Sequence, residues 1–377
     1  MRARLQSTPL AGILADKIRT TGPIPFAQYM EACLYHPEFG YYSKSDQKPR
    51  RDYYTSVDVS AIFGRLLTIQ FHQMWELLGR PAPFVLAEAG AGTGALAKQI
   101  LDFAAASLGD FYEAMQYCAV ERSPARREKQ RNLLASHLMR EQFTSASELP
   151  AAIPCGAIFS NELLDALPVH RVVIEEGSLR EIYVGLGDAG LREETGPLSS
   201  AAIGEYFEEQ RIELRDGQQA EAGLAARDWM LEAGRRLGRG FLLTIDYGHE
   251  GRELYDERHM RGTLLAYDRH RAIEEFYRAP GEQDLTAHVN FTALDLWGRR
   301  AGLERTGLVS QTNFLLSLAR REQMSALETA GETEEANLRA RLQFKTLIHP
   351  EGMGETFQVF IQHKGIEKPK LAGLEPI

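Results

Sequence analysis

The chain has 377 residues, which exceeds one typical domain, so we expect a core domain with an added region. Its 44% hydrophobic and 25% charged residues are ordinary for a soluble globular protein. The formal net charge of −9 argues against a general nucleic-acid binder, because such proteins carry a basic surface. An acidic balance mildly favours cationic substrates or partners.

The cysteines and the apolar residues limit the cellular context. Cys33, Cys118 and Cys155 lie far apart without metal or redox spacing, which is typical of core thiols in a reducing compartment. The chain has no stretch of eighteen apolar residues, so we expect no membrane span. An organelle presequence is an alternative for the basic start, but apolar positions from 10 to 18 already share one helical face. We therefore expect a cytoplasmic protein.

The first eighty residues predict helices around an aromatic turn. One helix ends at Gly22-Pro23, and a second ends at His36-Pro37 before the polar loop SKSDQKPRRD. A long amphipathic helix then runs to Leu77, with Ser56, Asp58 and Ser60 as candidate caps.

An α/β series begins at Phe84. We expect further strands at 116–120, 142–144, 155–160, 240–245 and 356–362, with helices at 162–168, 224–237, 292–301 and near 319–345. The alternating pattern from 169 to 191 around Glu176-Gly177 predicts a β-hairpin inserted into that series. Residues 250–290 are rich in Arg, His, Asp and Gly, which predicts active-site loops.

The stretch FVLAEAGAGTGALAKQIL, residues 84–101, reads as a strand, a glycine turn and a helix start. Gly90, Gly92 and Ala95 satisfy the dinucleotide-binding pattern G-x-G-x-x-G/A. The pattern of class I methyltransferases, acidic-x-G-x-G-x-G, is satisfied by Glu88, Gly90, Gly92 and Gly94. The motif alone therefore allows either ligand class.

The acidic residue favours the second ligand class. A dinucleotide brings its pyrophosphate against the turn, and Glu88 would repel that charge. S-adenosylmethionine (SAM) carries a sulfonium and an ammonium group, so a carboxylate there attracts it. A purely structural turn and a nucleotide-dependent oxidoreductase are the alternatives.

Glu121 ends the second strand of the series. The carboxyl ends of neighbouring strands in a doubly wound sheet face one crevice, where a carboxylate can accept hydrogen bonds from both ribose hydroxyls. We expect this role for Glu121, and a helix cap or a solvated carboxylate is the alternative.

Polar residues also follow the fourth strand in FSNELLDALPVH. Asn161 can bond a cofactor or orient a substrate. Glu162 and Asp165 are three apart in the predicted helix, so they would share a face that can hold a cation. Helix capping by Asn161, with two acids near a helix N-terminus, is the alternative.

The fifth strand ends in Asp246-Tyr247-Gly248-His249. Asp246 could pair with a guanidinium, and His249 or His288 could accept a proton, although isolated histidines are often surface residues. The basic run from Arg269 to Arg271 could hold an acidic group or be a solvated loop. No histidine or cysteine spacing suggests a metal site.

Several motifs together resemble the MidA-like family of class I SAM-dependent methyltransferases. This family includes the mitochondrial protein-arginine methyltransferase that assists respiratory complex I assembly. The match spans nearly the whole chain and rests on these segments: GPIPFAQYMEACLYHPEFGYY, YYTSVDVSAIFG, EAGAGTGALA, SNELLDALPVHRV, TIDYGH, GTLLAYDRHR, DLTAHVNFTAL and HPEGMGETFQVF.

The resemblance implies a Rossmann-like α/β fold, in which the sheet is mostly parallel and its last strand antiparallel. Residues 1–82 would form a helical region covering the cofactor and the substrate, and 169–223 an inserted hairpin and helical region. The SAM-binding core would then comprise 83–168 and 224–377.

The resemblance also implies roles for individual residues. Asn161 and Glu162 would lie beside the methyl group, and the segment at Thr55 and Ser56 would cover the cofactor. The expected contacts to SAM are Glu88, Gly90, Gly92, Gly94 and Glu121.

The activity implied is methyl transfer to an arginine of a protein substrate, for which a respiratory-complex subunit is one candidate. An arginine is cationic at neutral pH, so we expect Glu162 with Asp246 or Asp165 to hold it. We expect His288 or His249 to relay the proton. The remaining alternatives are an NAD(P)-dependent oxidoreductase and a SAM-binding assembly factor without catalysis.

Overall fold

The computed structural model describes residues 8–44, 61–188, 190–268, 271–321, 334–349, 354 and 356–377. Its helices are α1 (Pro9–Thr21), α2 (Phe26–Tyr35), α3 (Ala61–Leu77), α4 (Ala95–Ser107), α5 (Gly109–Ala114), α6 (Pro124–Leu133), α7 (Ala135–Met139), α8 (Ala201–Glu209), α9 (Leu224–Arg236), α10 (Gly251–Leu254), α11 (Phe291–Arg300), α12 (Gln311–Arg321) and α13 (Glu334–Ile348). Its strands are β1 (Ile24–Pro25), β2 (Phe84–Ala89), β3 (Met115–Val120), β4 (Phe143–Ala146), β5 (Ile153–Asn161), β6 (His170–Glu175), β7 (Ser178–Gly187), β8 (Gly190–Gly196), β9 (Gln219–Ala222), β10 (Leu237–His249), β11 (Leu265–Asp268), β12 (Arg271–Ile273), β13 (Asp284–Thr286), β14 (Val289–Asn290), β15 (Glu304–Ser310) and β16 (Phe357–Lys364).

The chain folds as two compact units. The first contains the described residues of 1–53, 164–229 and 248–296, and the second contains those of 54–163, 230–247 and 297–377. This division differs from the predicted segments, and two of the differences are large. Helix α3 belongs to the second unit, because it packs on α4, and residues 248–296 belong to the first.

The second unit is built on one mixed sheet with the strand order β15-β16-β10-β5-β2-β3-β4. The pairs from β10 through β4 are parallel, and β16 runs antiparallel to both β10 and β15. This is the predicted Rossmann-like sheet with an antiparallel last strand. The carboxyl ends of β2, β3, β5 and β10 therefore share one edge of the sheet.

The central strands are covered on both faces, which explains their continuous apolar sequences. Helices α3 and α4 pack together over this sheet, and Phe71 of α3 meets Phe159 of β5 with ring centroids 4.8 Å apart. Gly156 allows β5 to approach β2 closely, since a Cβ there would lie 1.9 Å from the carbonyl oxygen of Val85.

The first unit is built on an antiparallel sheet in the order β1-β7-β6-β9, with β8 also pairing β7. The predicted hairpin is its centre, because β6 and β7 pair through the turn at Glu176-Gly177. Both residues of that turn have positive φ. A smaller sheet, β12-β11-β13, lies within the region predicted as active-site loops. Helices α1 and α2 pack on this unit through an apolar cluster that includes Leu14, Phe26 and Leu34.

Three predictions of secondary structure are wrong or incomplete. Residues 162–168 form turns and bends instead of a helix. The charged helix expected near 319–345 is described only in part, by the end of α12 and by α13, because residues 322–333 lie outside the described residues. Strand β15 was not expected, because ERTGLVS contains a glycine and little alternation; it forms an edge strand against β16 with a register shift at Arg305 and Gly307. None of the described helices is long and apolar enough to cross a membrane.

The close approach at Gly156 predicts a large loss of stability on substitution. Gly156→Ala should lower the free energy of unfolding by roughly 1–3 kcal/mol or more, because the new methyl group would push two central backbones apart. Urea denaturation measures this effect. Gly109→Ala is the matched control, since no described atom lies within 4 Å of a Cβ at that position. Equal stability of both variants would contradict the prediction.

Candidate functional site

The glycine turn after β2 has a left-handed backbone at each of its three glycines. The φ angles are +75° at Gly90, +54° at Gly92 and +87° at Gly94. The N–H groups of Gly90 and Ala91 both donate to the carbonyl oxygen of Val120, each at 3.0 Å. Gly94 is the N-cap of α4, so the turn leads directly into a helix N-terminus.

Glu121 follows β3 and contacts this turn. Its Oε2 accepts a hydrogen bond from the N–H of Gly92 at 3.1 Å, and its Oε1 accepts one from the N–H of Ser123 at 2.8 Å. Arg126 lies 3.7 Å from the same carboxylate. The carboxylate is therefore fixed beside the glycine turn.

Gln130, which the sequence analysis did not identify, contacts the glycine turn through a hydrogen bond. This side chain of α6 is fully buried, and its Nε2 donates to the carbonyl of Gly92 at 2.9 Å. Ser145 of β4 donates to the Oε1 of Gln130 at 2.5 Å. Because the helix PARREKQRNL is polar all around, no pattern in the sequence marks this glutamine as buried.

Glu88, the acidic residue of the motif, is almost completely buried, with 4% of its surface exposed. The hydroxyl of Tyr117 on β3 donates to its Oε2 at 2.6 Å. Burial raises the pKa of the Glu88 carboxyl to about 7; the Tyr117 hydrogen bond opposes this rise and the charge of Glu121 adds to it. Glu88 therefore changes charge near neutral pH.

The segment after β5 is a turn tied to β10, which corrects the predicted helix. The N–H of Glu162 donates to the carbonyl of Ile245 at 3.0 Å, and the N–H of Leu163 donates to Oδ2 of Asp246 at 3.2 Å. Glu162 has φ +53°, which no residue inside a right-handed helix adopts. The argument that Glu162 and Asp165 share a helix face is therefore wrong.

Within the second unit, the structure brings Glu162, which directly follows β5, beside Asp246 of the neighbouring strand β10. Asp246 is fully buried, and its Oδ1 also accepts a hydrogen bond from the N–H of Tyr247 at 3.0 Å. Asn161 donates from Nδ2 to Oε1 of Glu162 at 3.1 Å. Its Oδ1 is buried and has no hydrogen-bond partner among the described residues, so it can accept a hydrogen bond from a ligand.

Asp165, His249 and His288 belong to the first unit. The backbone carbonyl of Asp165 accepts a hydrogen bond from the N–H of Ala287 at 2.9 Å. Burial, Asp284 and Asp165 together raise the pKa of Tyr42 well above its usual range. Asp165 thus lies in a buried acidic environment beside a tyrosine.

The first unit also contains a cluster of three histidines. Their ring centroids are 5.3 Å apart for His249 and His288, 5.4 Å for His249 and His259, and 6.3 Å for His259 and His288. Burial and the two neighbouring imidazoles lower the pKa of His288 to about 4, and burial is also the main cause that lowers the pKa of His249. Sequence reasoning missed His259, which lies in a short turn without any motif.

The other predicted site residues lie outside the described residues or at an exposed position. Thr55, Ser56 and the pair Arg269-His270 lie outside the described residues. Arg271 is exposed on β12. Within the described ranges, no group of three His, Cys, Asp or Glu side chains is arranged to hold a metal ion.

The titration of Glu88 predicts how stability depends on pH. Its pKa is higher in the folded state than in the unfolded chain, so the folded state binds the proton more tightly. The stability of the wild type relative to Glu88→Gln should therefore fall by roughly 3 kcal/mol as the pH rises from below 4.5 to above 7. Urea denaturation of both proteins at pH 4.5 and pH 8 tests this, and a constant difference would contradict it.

Comparisons with known proteins bear on this site. Residues 66–309 match the family Methyltransf_28, described as an S-adenosyl-L-methionine-dependent methyltransferase. "Protein arginine methyltransferase NDUFAF7, mitochondrial" of Danio rerio is 30% identical over 384 residues, covering 92% of this chain and 85% of that protein. The Homo sapiens protein of the same name is 29% identical, covering 94% of this chain and 83% of its own length.

A crystal structure shares the whole architecture. It is a COG1565 superfamily member from Burkholderia thailandensis bound to S-adenosyl-homocysteine, with 32% identity and a TM-score of 0.86. The similarity covers 97% of this chain and 94% of that chain.

The names of the relatives contradict the expected cytoplasmic location. The proteins of Danio rerio and Homo sapiens and the homolog of Drosophila melanogaster are all named mitochondrial, so that prediction is wrong. The prediction rested on the shared helical face of the apolar positions from 10 to 18, and an amphipathic helix does not separate the cytoplasm from an organelle, because organelle presequences are amphipathic too.

The acidic residue before the glycine turn, the carboxylate after β3 and the antiparallel last strand agree with these comparisons, which favour SAM over a dinucleotide as the cofactor. The family match covers more than half of the chain. The chain therefore belongs to the MidA-like family of S-adenosyl-L-methionine-dependent methyltransferases.

Proposed function

We propose that this methyltransferase transfers a methyl group from SAM to the side chain of an arginine in a protein substrate. Two considerations support the proposal. The relatives named protein arginine methyltransferases cover more than nine tenths of this chain. Two carboxylates, which can hold a cationic acceptor, lie side by side at Glu162, directly after β5, and at Asp246 of the neighbouring strand β10.

We propose that the glycine turn and the acids around it hold the cofactor. The proposed contacts are Glu88, Gly90, Gly92, Gly94, Glu121 and Asn161, with Thr55 and Ser56 as contacts outside the described residues. The described residues fit a cationic cofactor, because two carboxylates flank the turn and no described atom lies within 4 Å of a Cβ built on Gly92. The partnerless Oδ1 of Asn161 adds an acceptor for an ammonium or hydroxyl group.

The carboxylates have the main role in the transfer. SAM supplies a methyl group on a positively charged sulfur when it is bound. Glu162 with Asp246 would hold the guanidinium and orient one of its nitrogens for in-line attack. The N–C bond forms as the S–C bond breaks, and the electron pair of that bond stays on sulfur.

The proton released by the guanidinium needs an acceptor. His288 fits this role because burial lowers its pKa to about 4 and keeps its imidazole neutral at physiological pH. His249, whose pKa is also lowered, is the alternative. A neutral imidazole can lie near a guanidinium without repelling it, whereas a protonated one cannot.

We also propose the class of substrate. The motif resemblance to the MidA-like family makes subunits of a respiratory complex the first proteins to test as acceptors. The chain's net charge of −9 is compatible with a basic, arginine-containing segment as the region recognised.

The observation that carries the proposal is the fixed position of Glu162 beside the buried Asp246. Glu162→Gln should reduce methyl transfer to arginine by about 10²–10³-fold, because an amide lacks the negative charge that holds and orients the guanidinium. The measurement uses labelled SAM, protein extract from cells that lack this protein, and mass spectrometry of methylarginine.

Glu176→Gln is the matched control for this experiment. Glu176 is an exposed glutamate with φ +51°, so it shares the backbone strain of Glu162 without its surroundings. The control should keep wild-type activity. Full transfer by Glu162→Gln would contradict the catalytic role, and no methylarginine from the wild type would favour a SAM-binding assembly factor without catalysis.

The low pKa of His288 predicts a flat pH profile in the range where histidines usually titrate. Because the imidazole is neutral above about pH 5, its contribution to kcat should not change between pH 6 and 8 and should be lost only as the pH falls through 4. His288→Gln should lower kcat by a similar factor across pH 6–8. A midpoint near 6.5 that disappears in His288→Gln would contradict this prediction.

A further inference from the structure

Tyr117 has no role in the site as predicted from the sequence, yet it is the hydrogen-bond donor to the acidic residue of the motif. In the parallel pairing of β2 and β3, Tyr117 lies opposite Leu86, and Ala119 lies opposite Glu88. Side chains two residues apart on a strand share a face, so the Tyr117 ring extends diagonally toward Glu88. Its hydroxyl then donates to Oε2 of Glu88 at 2.6 Å.

The surroundings of this pair are apolar. Tyr117 is 1% exposed, and its ring centroid lies 6.3 Å from that of Phe143 and 6.3 Å from that of Phe159. Phe159 is also the register partner of Glu88 on the other neighbouring strand, β5. A carboxylate in such a place is costly unless hydrogen bonds compensate for its lost water.

Three influences act on the pKa of Glu88 in opposite directions. Burial raises the pKa of Glu88, the Tyr117 hydroxyl lowers it, and the negative charge of Glu121 raises it further. Tyr117 remains a neutral donor throughout, because burial and Glu88 raise its own pKa well above the usual range. The Tyr117 hydroxyl is therefore the group on β3 that favours the ionised form of Glu88.

We infer that Tyr117 is a positioning residue for cofactor binding: its hydroxyl orients Glu88 and favours the ionised form of the carboxylate, which the cationic cofactor needs. The inference rests on the proposed contact between Glu88 and SAM. It makes SAM affinity depend on pH, with a midpoint that the Tyr117 hydroxyl lowers.

Tyr117→Phe tests the inference, because it removes the hydroxyl and keeps the ring in the core. Isothermal titration calorimetry with SAM should show wild-type affinity rising with pH through about 7. A hydrogen bond to a charged group contributes about 1.5–3 kcal/mol, so the midpoint in Tyr117→Phe should rise by about one to two pH units. Its SAM affinity at pH 7 should be roughly five- to fifty-fold weaker than that of the wild type, with a smaller deficit at pH 9.

Tyr112→Phe is the matched control. Tyr112 is a buried tyrosine of the same unit whose hydroxyl contacts Nδ1 of His137 at 2.8 Å. Removing that hydroxyl should leave the pH profile of SAM binding unchanged. An equal shift in both variants would overturn the inference, since it would reflect a general loss of core packing.

Glu88→Gln separates the inference from the proposed function. Weak, pH-independent SAM binding by Glu88→Gln together with a wild-type profile in Tyr117→Phe would overturn the role of Tyr117 alone. Undiminished binding by Glu88→Gln would overturn the proposed contact of Glu88 itself.

A measurement without SAM provides a second test. The difference in stability between wild type and Glu88→Gln changes over a certain pH range. The same comparison between Tyr117→Phe and the double variant Tyr117→Phe/Glu88→Gln should show that range about one to two pH units higher. An unmoved range would overturn the inference even if SAM binding were lost.

Discussion

Two hydrogen bonds to one carbonyl oxygen hold the site together. The oxygen of Val120, the last residue of β3, accepts the N–H groups of Gly90 and Ala91, and so ties the glycine turn to the neighbouring strand. The next residue, Glu121, then reaches the N–H of Gly92, and Gln130 reaches the carbonyl of the same glycine. Because these bonds hold the turn on both sides, the N-terminus of α4 and the Glu121 carboxylate are already positioned relative to each other without a ligand.

Much of this arrangement could be predicted from the sequence because it depends on local patterns. Three glycines with an acid two residues before them specify a turn whose φ angles other residues rarely adopt, and the structure has positive φ at each of them. Apolar runs specify the parallel strands, and the rule that strand ends share an edge is enough to bring Glu121 beside the turn. The hairpin around Glu176-Gly177 was equally local.

The remaining features depend on contacts between distant segments, which no local pattern reveals. Residues 162–168 have good helix formers, but bonds from Glu162 and Leu163 to β10 fix the first of them in a left-handed conformation. Gln130 lies in a polar helix and is buried only because β4 and the glycine turn surround it. The partnership of Tyr117 with Glu88 requires the register of two strands, and sequence alone gives strand identity without register.

The left-handed backbone of Glu162 has a consequence for engineering. A glutamate with φ +53° costs on the order of 1 kcal/mol relative to glycine, so replacement by Gly or Asn would raise thermal tolerance. A redesign for heat resistance that replaces every non-glycine residue of positive φ would therefore remove the Glu162 carboxylate, which is proposed to hold the substrate. In the part of the chain that the structure describes, the same relief would spare that carboxylate at Arg80, Glu141, Glu176, Arg211 and Lys368.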